Sequence, residues 1–285
     1  MKKVAIIVDS IAKMPPEIIE KYDITVLPFH IAMDGKDYLD TTIDKEQLYS
    51  RIMSKKLPTV SPPSPGKMSE AFREVSQRAK AIIYITMTSG FSGEYERAKG
   101  VRSSGEEELS GIAIEVVDSL TITCAEALIT IEAAKAASQG KSFPEVVEIA
   151  RQMVKRVTSL TVRDSLYYFD KSGRLGKERS LAGSPIPLAP VLEIDASTGG
   201  VTQAVSKHRT VAKAVENMLA IMKKRSANKK LHAILGHAYK PDTAEELKEK
   251  VLSEFQLAEF YLTEVTPVAA IINGPYIDLG FFTED

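Results

Sequence analysis

The chain has 285 residues, of which 44% are hydrophobic and 26% charged, and this composition excludes a disordered, collagen-like or low-complexity protein. Its 37 Lys and Arg residues balance 38 Asp and Glu residues, so the positive charge expected of a nucleic-acid-binding protein is missing. No apolar stretch approaches the roughly 18 residues that a membrane span needs. The single cysteine, Cys124, excludes an internal disulfide and favours a cytoplasmic location. Four scattered His residues indicate neither a metal site nor a cofactor.

The first half of the chain alternates strand and helix patterns. Its strands are predicted from short apolar runs at residues 4–8, 25–29, 81–86 and 112–118. Its helices are predicted at residues 15–22, 43–54, 68–79 and 121–157, the last of which is interrupted at Gly140. The strands are apolar on successive residues, which is typical of a parallel sheet covered on both faces. We therefore predict an N-terminal three-layer α/β/α domain with a parallel sheet over residues 1–157.

The second half has a different pattern. Its strands are predicted at residues 159–162, 190–194, 201–205, 231–236, 260–265 and 268–272. The pair Gly199-Gly200 between two of them is a hairpin signal and indicates antiparallel pairing. Amphipathic helices are predicted at 211–222 and 247–255. Residues 158–285 are therefore expected to form a C-terminal two-layer α/β domain with a mixed sheet.

Polar residues follow the predicted strands of the first half, where ligands of open α/β sheets bind. The segment 86–93 contains four hydroxyl side chains ahead of a helix, which fits either an anion-binding loop or a helix cap. The segment 61–66 contains three prolines. It is either a rigid ligand-binding loop or a helix start with Ser64 as N-cap and Pro65 at the first position. Both alternatives stay open for each segment.

Catalytic patterns are incomplete in this sequence. Asp9 after the first strand resembles an aspartyl phosphotransferase nucleophile, but the second Asp of that pattern is replaced by Ile11. The segment around Ser92 fails as a hydrolase elbow because Glu94 stands where the last glycine is required. A metal-dependent phosphotransferase or hydrolase using Asp9 and Asp118 remains the alternative function.

The order of several weak motifs resembles the DegV family over essentially the whole chain. The motifs are Asp9-Ser10, Ser61-Pro62-Pro63-Ser64-Pro65, Ser89-Gly90-Phe91-Ser92-Gly93, Asp118-Ser119, Lys171-Ser172-Gly173-Arg174, Lys207-His208-Arg209-Thr210 and Gly274-Pro275. The resemblance implies a two-domain α/β protein that holds a long-chain fatty acid in a cleft between its domains. It also implies an accessory subunit of a separate kinase that makes acyl phosphate, with no catalytic residues and no cofactor of its own.

The same resemblance assigns roles to individual residues. The fatty acid carboxylate is expected near Ser61, Ser89, Ser92 and the backbone of Gly93. The position of the family's carboxylate-binding histidine corresponds to Ile272. The two residues expected to face the kinase or the transferred phosphate are Arg174 and Arg209.

Four positions depart from the family pattern, namely Val60, Glu94, Ile272 and Tyr276. Because a buried carboxylate needs hydrogen-bond donors, the missing histidine leaves three explanations open. The remaining donors suffice, or His237 or Asn273 substitutes, or the ligand is a different amphiphile. A divergent member that keeps only the kinase-docking surface is a further alternative.

Overall fold

The computed structural model describes residues 2–105, 109, 111–184 and 188–284. Its strands, in chain order, are β1 (Ala5–Asp9), β2 (Thr25–Leu27), β3 (His30–Met33), β4 (Lys36–Leu39), β5 (Thr59–Ser61), β6 (Ala81–Thr86), β7 (Ala113–Asp118), β8 (Thr158–Arg163), β9 (Ala189–Glu193), β10 (Gln203–His208), β11 (Leu231–Ala238), β12 (Leu257–Glu264) and β13 (Tyr276–Thr283). Its α-helices are α1 (Pro16–Tyr22), α2 (Lys45–Met53), α3 (Pro65–Ser76), α4 (Glu94–Ser104), α5 (Thr123–Ser138), α6 (Phe143–Arg156), α7 (Tyr167–Lys171), α8 (Arg179–Ala182), α9 (Val211–Ser226), α10 (Pro241–Glu254) and α11 (Pro267–Asn273).

The first sheet is parallel, has the order β2-β1-β6-β7 and is covered on both faces. On one face, strand residues such as Val8 and Ile83 pack in one apolar cluster with α5 and α6. On the other face, Ile7 and Tyr84 pack with α3 and α4. Both faces are therefore buried, as the unbroken apolar runs predict. The predicted three-layer arrangement is confirmed.

The second sheet is mixed and has the order β10-β9-β8-β13-β11-β12. Its neighbouring strands are antiparallel except for β11 and β12, which run parallel. The hairpin predicted at Gly199-Gly200 joins the antiparallel pair β9 and β10. Helices α9 and α10 cover one face of this sheet. The predicted mixed sheet is thus confirmed, although the strand expected at 201–205 begins at Gln203.

Helix α5 lies between the two sheets and contacts strands of both. This position explains its sequence, because a helix with protein on every side has no polar face. Most of its residues from Thr123 to Ala136 are buried. The boundary predicted at residues 157 and 158 falls where α6 ends and β8 begins, and the division into domains stays a prediction.

The strand predicted at 268–272 is wrong, because these residues belong to helix α11. Thr266 caps this helix by accepting a hydrogen bond from the Ala269 N–H at 3.4 Å, and Pro267 occupies its first turn. All seven helical residues are buried, so no periodicity distinguishes the run from a strand. The segment Asn273-Gly274-Pro275-Tyr276 has the composition of a turn, but Tyr276 begins β13.

An antiparallel sheet of order β4-β3-β5 was not predicted from the sequence. The apolar run at 25–29 ends as a strand at Leu27, and β3 begins at His30 after Pro28, which has no backbone N–H to donate. Among the described residues, no helix has both the length and the apolar character required to cross a bilayer.

Candidate functional site

A cavity of about 480 Å³ opens between β5, α7 and α11, and we call it the α7 cavity. Its lining comes from both halves of the chain. The lining residues are Lys55, Leu57, Pro58, Thr59, Val60, Tyr167, Tyr168, Lys171, Ser172, Arg174, Ile271 and Ile272. The volume lies within the range of about 300–1,000 Å³ that is typical of small-molecule sites.

The wall of the α7 cavity belongs to a large apolar cluster. This cluster includes Ile272 and Tyr168 from the wall and Phe91 and Phe169 behind it. The rings of Phe91 and Phe169 meet edge to face with centroids 5.8 Å apart, one from each half of the chain. Because apolar surface from both halves continues inward from the cavity, the arrangement suits a ligand with a long apolar part.

The charged residues of the cavity lining are all basic. Lys55, Lys171 and Arg174 line it, and the described lining residues include no carboxylate. The amino groups of Lys55 and Lys171 lie 4.8 Å and 5.9 Å from the centroid of the Tyr167 ring. Burial lowers the pKa of Arg174, which donates from Nε to the Phe91 carbonyl at 3.3 Å. This lining favours an anionic group at the mouth of the cavity.

The residues expected at the head group do not line the cavity: Ser61 ends strand β5, and Ser89, Ser92 and Gly93 lie in the loop before α4. Ser61, Ser89 and Gly93 are exposed, and Ser92 is half-buried. The Ser92 hydroxyl accepts a hydrogen bond from the Glu94 N–H at 3.2 Å, as a residue at a helix start does. Val60, the chain neighbour of Ser61, does line the cavity. The predicted assignment of these four residues to a ligand stays a prediction.

Two contacts connect these loops with each other and with the cavity. Arg97 of α4 donates to the Pro63 carbonyl at 3.3 Å, which holds the loop after β5 against α4. Arg174 bonds to Phe91 in the loop that precedes α4. Ser64 is the N-cap of α3 and accepts from the Lys67 N–H at 3.3 Å, with Pro65 at the first helical position. The structural alternative for Ser64 and Pro65 is therefore confirmed.

The remaining sequence candidates lie elsewhere. Arg209 is exposed in the turn between β10 and α9. His237 accepts a hydrogen bond at Nδ1 from the Lys240 N–H at 3.4 Å, and burial lowers its pKa. It does not line the α7 cavity. Ile272 does line the cavity, so an apolar side chain occupies the position where the family resemblance implies a histidine.

Asp9 and Asp118, the carboxylates of the alternative enzymatic function, accept hydrogen bonds from backbone N–H groups. Asp9 accepts from the N–H groups of Ile11 at 2.8 Å and Met87 at 2.7 Å. Asp118 accepts from those of Ser89 at 3.1 Å and Leu120 at 3.0 Å. Both side chains therefore fix loops at the sheet edge, which is the local role expected of Asp in turns.

A second role for Asp9 was not predicted from the sequence. Asp9, Glu94 and Glu126 are each 0% exposed and interact with one another, and we call them the acidic cluster. Desolvation raises the pKa of Asp9 to about 6 and raises the pKa values of Glu94 and Glu126. Tyr84 donates its hydroxyl proton to Glu94. Glu94 thus points into the protein, away from the expected carboxylate site.

Some residues of the cavity and of the buried core were also missed. Lys55 and Tyr168 line the cavity but belong to no recognised motif. For Glu126 and Arg163, which do not line the cavity, the sequence carried a signal, because each is the single charge of its segment, residues 124–131 and the strand β8. A charge in a buried segment is uncommon without a partner, and this rule marks both residues for attention.

The two sheets on either side of α5, with a cavity lined from both halves, define an α/β protein with a cavity between distant parts of its chain. The profile described as "Uncharacterised protein, DegV family" matches residues 3–282, and the chain belongs to that family. A DegV domain-containing protein of Caldanaerobacter subterraneus is 29% identical, and the alignment covers 100% of both chains.

Solved structures share the fold. A structure described as fatty acid binding of a DegV family protein from Thermus thermophilus has a TM-score of 0.90 at 20% identity over 100% of both chains. DegV from Bacillus subtilis, described as a fatty acid binding protein, has a TM-score of 0.88 at 22% identity over 100% of both chains. A stearic acid-binding protein from Eubacterium ventriosum has a TM-score of 0.87 at 25% identity, covering 99% of this chain and 98% of that one. These descriptions name binding and indicate no catalytic family.

Proposed function

We propose that this protein binds a long-chain fatty acid in the α7 cavity and presents its carboxylate to a separate kinase that forms acyl phosphate. The observation that carries the proposal is a cavity with a basic mouth that continues into an apolar cluster shared by both halves. The ligand would enter between the domain expected over residues 1–157 and the domain expected over residues 158–285. The descriptions of the Thermus, Bacillus and Eubacterium structures support the same ligand class.

The energetics of this ligand are favourable. Burying about 14 methylene groups at roughly 0.8 kcal/mol each gives a gross driving force on the order of 11 kcal/mol before ordering costs. Few polar contacts are then needed beyond those that orient the carboxylate. In this proposal Ser61, Ser89, Ser92 and the Gly93 N–H supply hydrogen-bond donors at the head group, and Ile272 contacts the ligand through its apolar side chain.

The first test is native mass spectrometry of the purified protein, followed by solvent extraction and identification of any released molecule. We expect a co-purifying fatty acid, and we expect the double variant Ser61→Ala, Ser92→Ala to lose it. The matched control is Ser103→Ala on the exposed surface of α4. A protein that is empty and also takes up no added fatty acid would contradict the proposal. Unchanged occupancy in the double variant would contradict the serine assignment alone.

In this proposal, Arg174 and Arg209 contact either the phosphate that is transferred or the kinase itself. Arg209 is the better residue to test because it is exposed, whereas Arg174 bonds to Phe91 and Ser172. Arg209→Ala is expected to leave the fatty acid bound and to slow acyl-phosphate formation by a fatty acid kinase about tenfold, as the loss of a charge-assisted contact would. An unchanged rate would show that Arg209 is not part of the surface that contacts the kinase.

A different amphiphile is the second candidate ligand. Val60 and Ile272 both line the α7 cavity at positions where the family resemblance implies a threonine and a histidine. The cavity wall therefore has two apolar side chains where the resemblance implies polar ones. The same extraction experiment decides between the candidates, because it identifies the released molecule rather than detecting a fatty acid only.

A further inference from the structure

A second cavity, of about 200 Å³, lies beyond the end of strand β1, and we call it the β1 cavity. Ser10, which directly follows β1, lines it together with Asp40 after β4 and Pro267 at the start of α11. Among the described residues it shares no lining residue with the α7 cavity, which meets the other end of α11 at Ile271 and Ile272. Open α/β sheets bind their ligands at the carboxyl ends of their strands, so the β1 cavity is a candidate for a second ligand.

The β1 cavity combines an apolar wall with a small number of polar groups, as small-molecule sites do. The apolar part of the wall includes Ala12, Met14, Val26, Val265 and Pro267. The volume equals that of about seven water molecules at roughly 30 Å³ each, which suits a molecule the size of one amino acid. The cavity therefore fits a small ligand with an apolar part.

One polar group of this wall is a buried carboxylate with an unused oxygen. Asp40 is 3% exposed, and its Oδ2 accepts a hydrogen bond from the Ser10 hydroxyl at 2.7 Å. Its Oδ1 accepts none from a described residue. Desolvation raises the pKa of Asp40 to about 6, so the side chain is still largely ionised at neutral pH. A buried charge needs more donors than one hydroxyl, and a ligand in the cavity can supply them.

The opposite charge in the same wall also has no direct partner. Lys13 is half-buried, and its amino group makes neither a hydrogen bond nor an ion pair with a described residue. Asp40 and Glu264 attract it through space, whereas the neighbouring Lys45 repels it and pairs with Glu264. Lys13 and Asp40 thus line one cavity without contacting each other. A ligand that carries both charges can bridge them with charge-assisted hydrogen bonds.

From this arrangement we propose that the β1 cavity binds a small α-amino acid with an aliphatic side chain. The ammonium group of the ligand donates to Asp40, its carboxylate accepts from Lys13, and its side chain packs against the apolar wall. An amine alone would leave Lys13 unpaired, and a carboxylic acid alone would leave Asp40 unpaired. The proposal concerns a second ligand and is independent of fatty acid binding in the α7 cavity.

The test is equilibrium dialysis of the purified protein against radiolabelled L-leucine. We expect saturable binding of one leucine per chain. Two analogues each lack one charge, since 4-methylpentanoic acid has no ammonium group and 3-methylbutylamine has no carboxylate. Each is expected to compete at least about tenfold more weakly than unlabelled leucine, as the loss of a hydrogen bond to a charged group would cause. Palmitic acid is expected not to displace the leucine.

Two variants test the two charges. Asp40→Asn keeps the shape of the side chain and is expected to weaken leucine binding about tenfold to hundredfold. Lys13→Met protects the test against misfolding of Asp40→Asn, and a loss of about threefold to tenfold is expected because Lys13 is partly solvated. The matched controls are Asp242→Asn on α10 and Lys36→Met on β4, both exposed, and both are expected to bind leucine as the wild type does.

Three results would overturn this inference. The first is a wild-type protein that binds no leucine at millimolar concentrations, and the second is unchanged affinity in both Asp40→Asn and Lys13→Met. The third is one-for-one displacement of leucine by palmitic acid, which would place leucine in the α7 cavity. None of these results contradicts fatty acid binding, which the extraction experiment tests separately.

Discussion

Two buried clusters of opposite charge lie on the two sides of α5. The acidic cluster of Asp9, Glu94 and Glu126 belongs to the side of the parallel sheet, and Arg163 belongs to the mixed sheet. Neither has a counter-ion within hydrogen-bonding distance among the described residues. They differ in how this can be relieved. Carboxyl groups with raised pKa values take up protons, whereas an arginine keeps its charge and needs an anion.

This difference separates a cluster that responds to pH near neutrality from a cation that keeps its charge over the same pH range. The pKa of Asp9 is raised from 3.8 to about 6 by desolvation, against the hydrogen bonds from the Met87 and Ile11 N–H groups. Its ordinary pKa applies in the unfolded chain, so between about pH 4 and 6 the folded protein binds more protons. Protonation of Asp9 therefore increases the free energy of unfolding, with its full effect below about pH 4, and this increase is lost as the pH rises through 6.

The largest effect is expected when one charge is removed from the acidic cluster. Glu126→Gln removes one charge while keeping the volume, and neither Glu126 oxygen accepts a hydrogen bond from a described residue. At pH 8 we expect this variant to raise the free energy of unfolding by about 3 kcal/mol, the upper end of the cost of a buried polar group without a partner, because the neutral amide is not repelled by Asp9. At pH 5 the effect should shrink towards zero. Urea unfolding at both pH values measures it.

The control for this prediction is Glu148→Gln on the exposed surface of α6. We expect its free energy of unfolding to differ from that of the wild type by less than about 0.5 kcal/mol at both pH values. A stabilisation of Glu126→Gln that is equal at pH 5 and pH 8 would show that the charge of Glu126 has no part in it.

The smaller prediction uses two buried tyrosines as a matched pair. Tyr84 donates its hydroxyl proton to Glu94, whereas the Tyr276 hydroxyl has no partner among the described residues. Tyr84→Phe should lower the free energy of unfolding by about 1–3 kcal/mol, and Tyr276→Phe should leave it unchanged or raise it by up to about 1 kcal/mol. Equal losses in the two variants would mean that Tyr276 has a partner in solution.

The elements that could be predicted from the sequence are those whose pattern of buried residues is typical of one kind of secondary structure. The apolar runs at residues 4–8 and 81–85 lie in the parallel strands β1 and β6, and they are continuous because both faces of these strands are covered. Helix α11 was predicted as a strand because complete burial removes the helical period from its sequence. The cap at Thr266 and Pro267 was the available signal for a helix start.

The sequence by itself determined the fold class and the order of motifs that places this chain in the DegV family. It also determined that Ile272 replaces the histidine implied by the resemblance. Only the tertiary structure showed that Val60, Arg174 and Ile272 share one cavity, and that the buried Arg163 donates its hydrogen bonds to Asn273 and Thr161. The physical reason is that local patterns report which residues are buried, whereas the pairing of buried charges depends on which distant elements pack together.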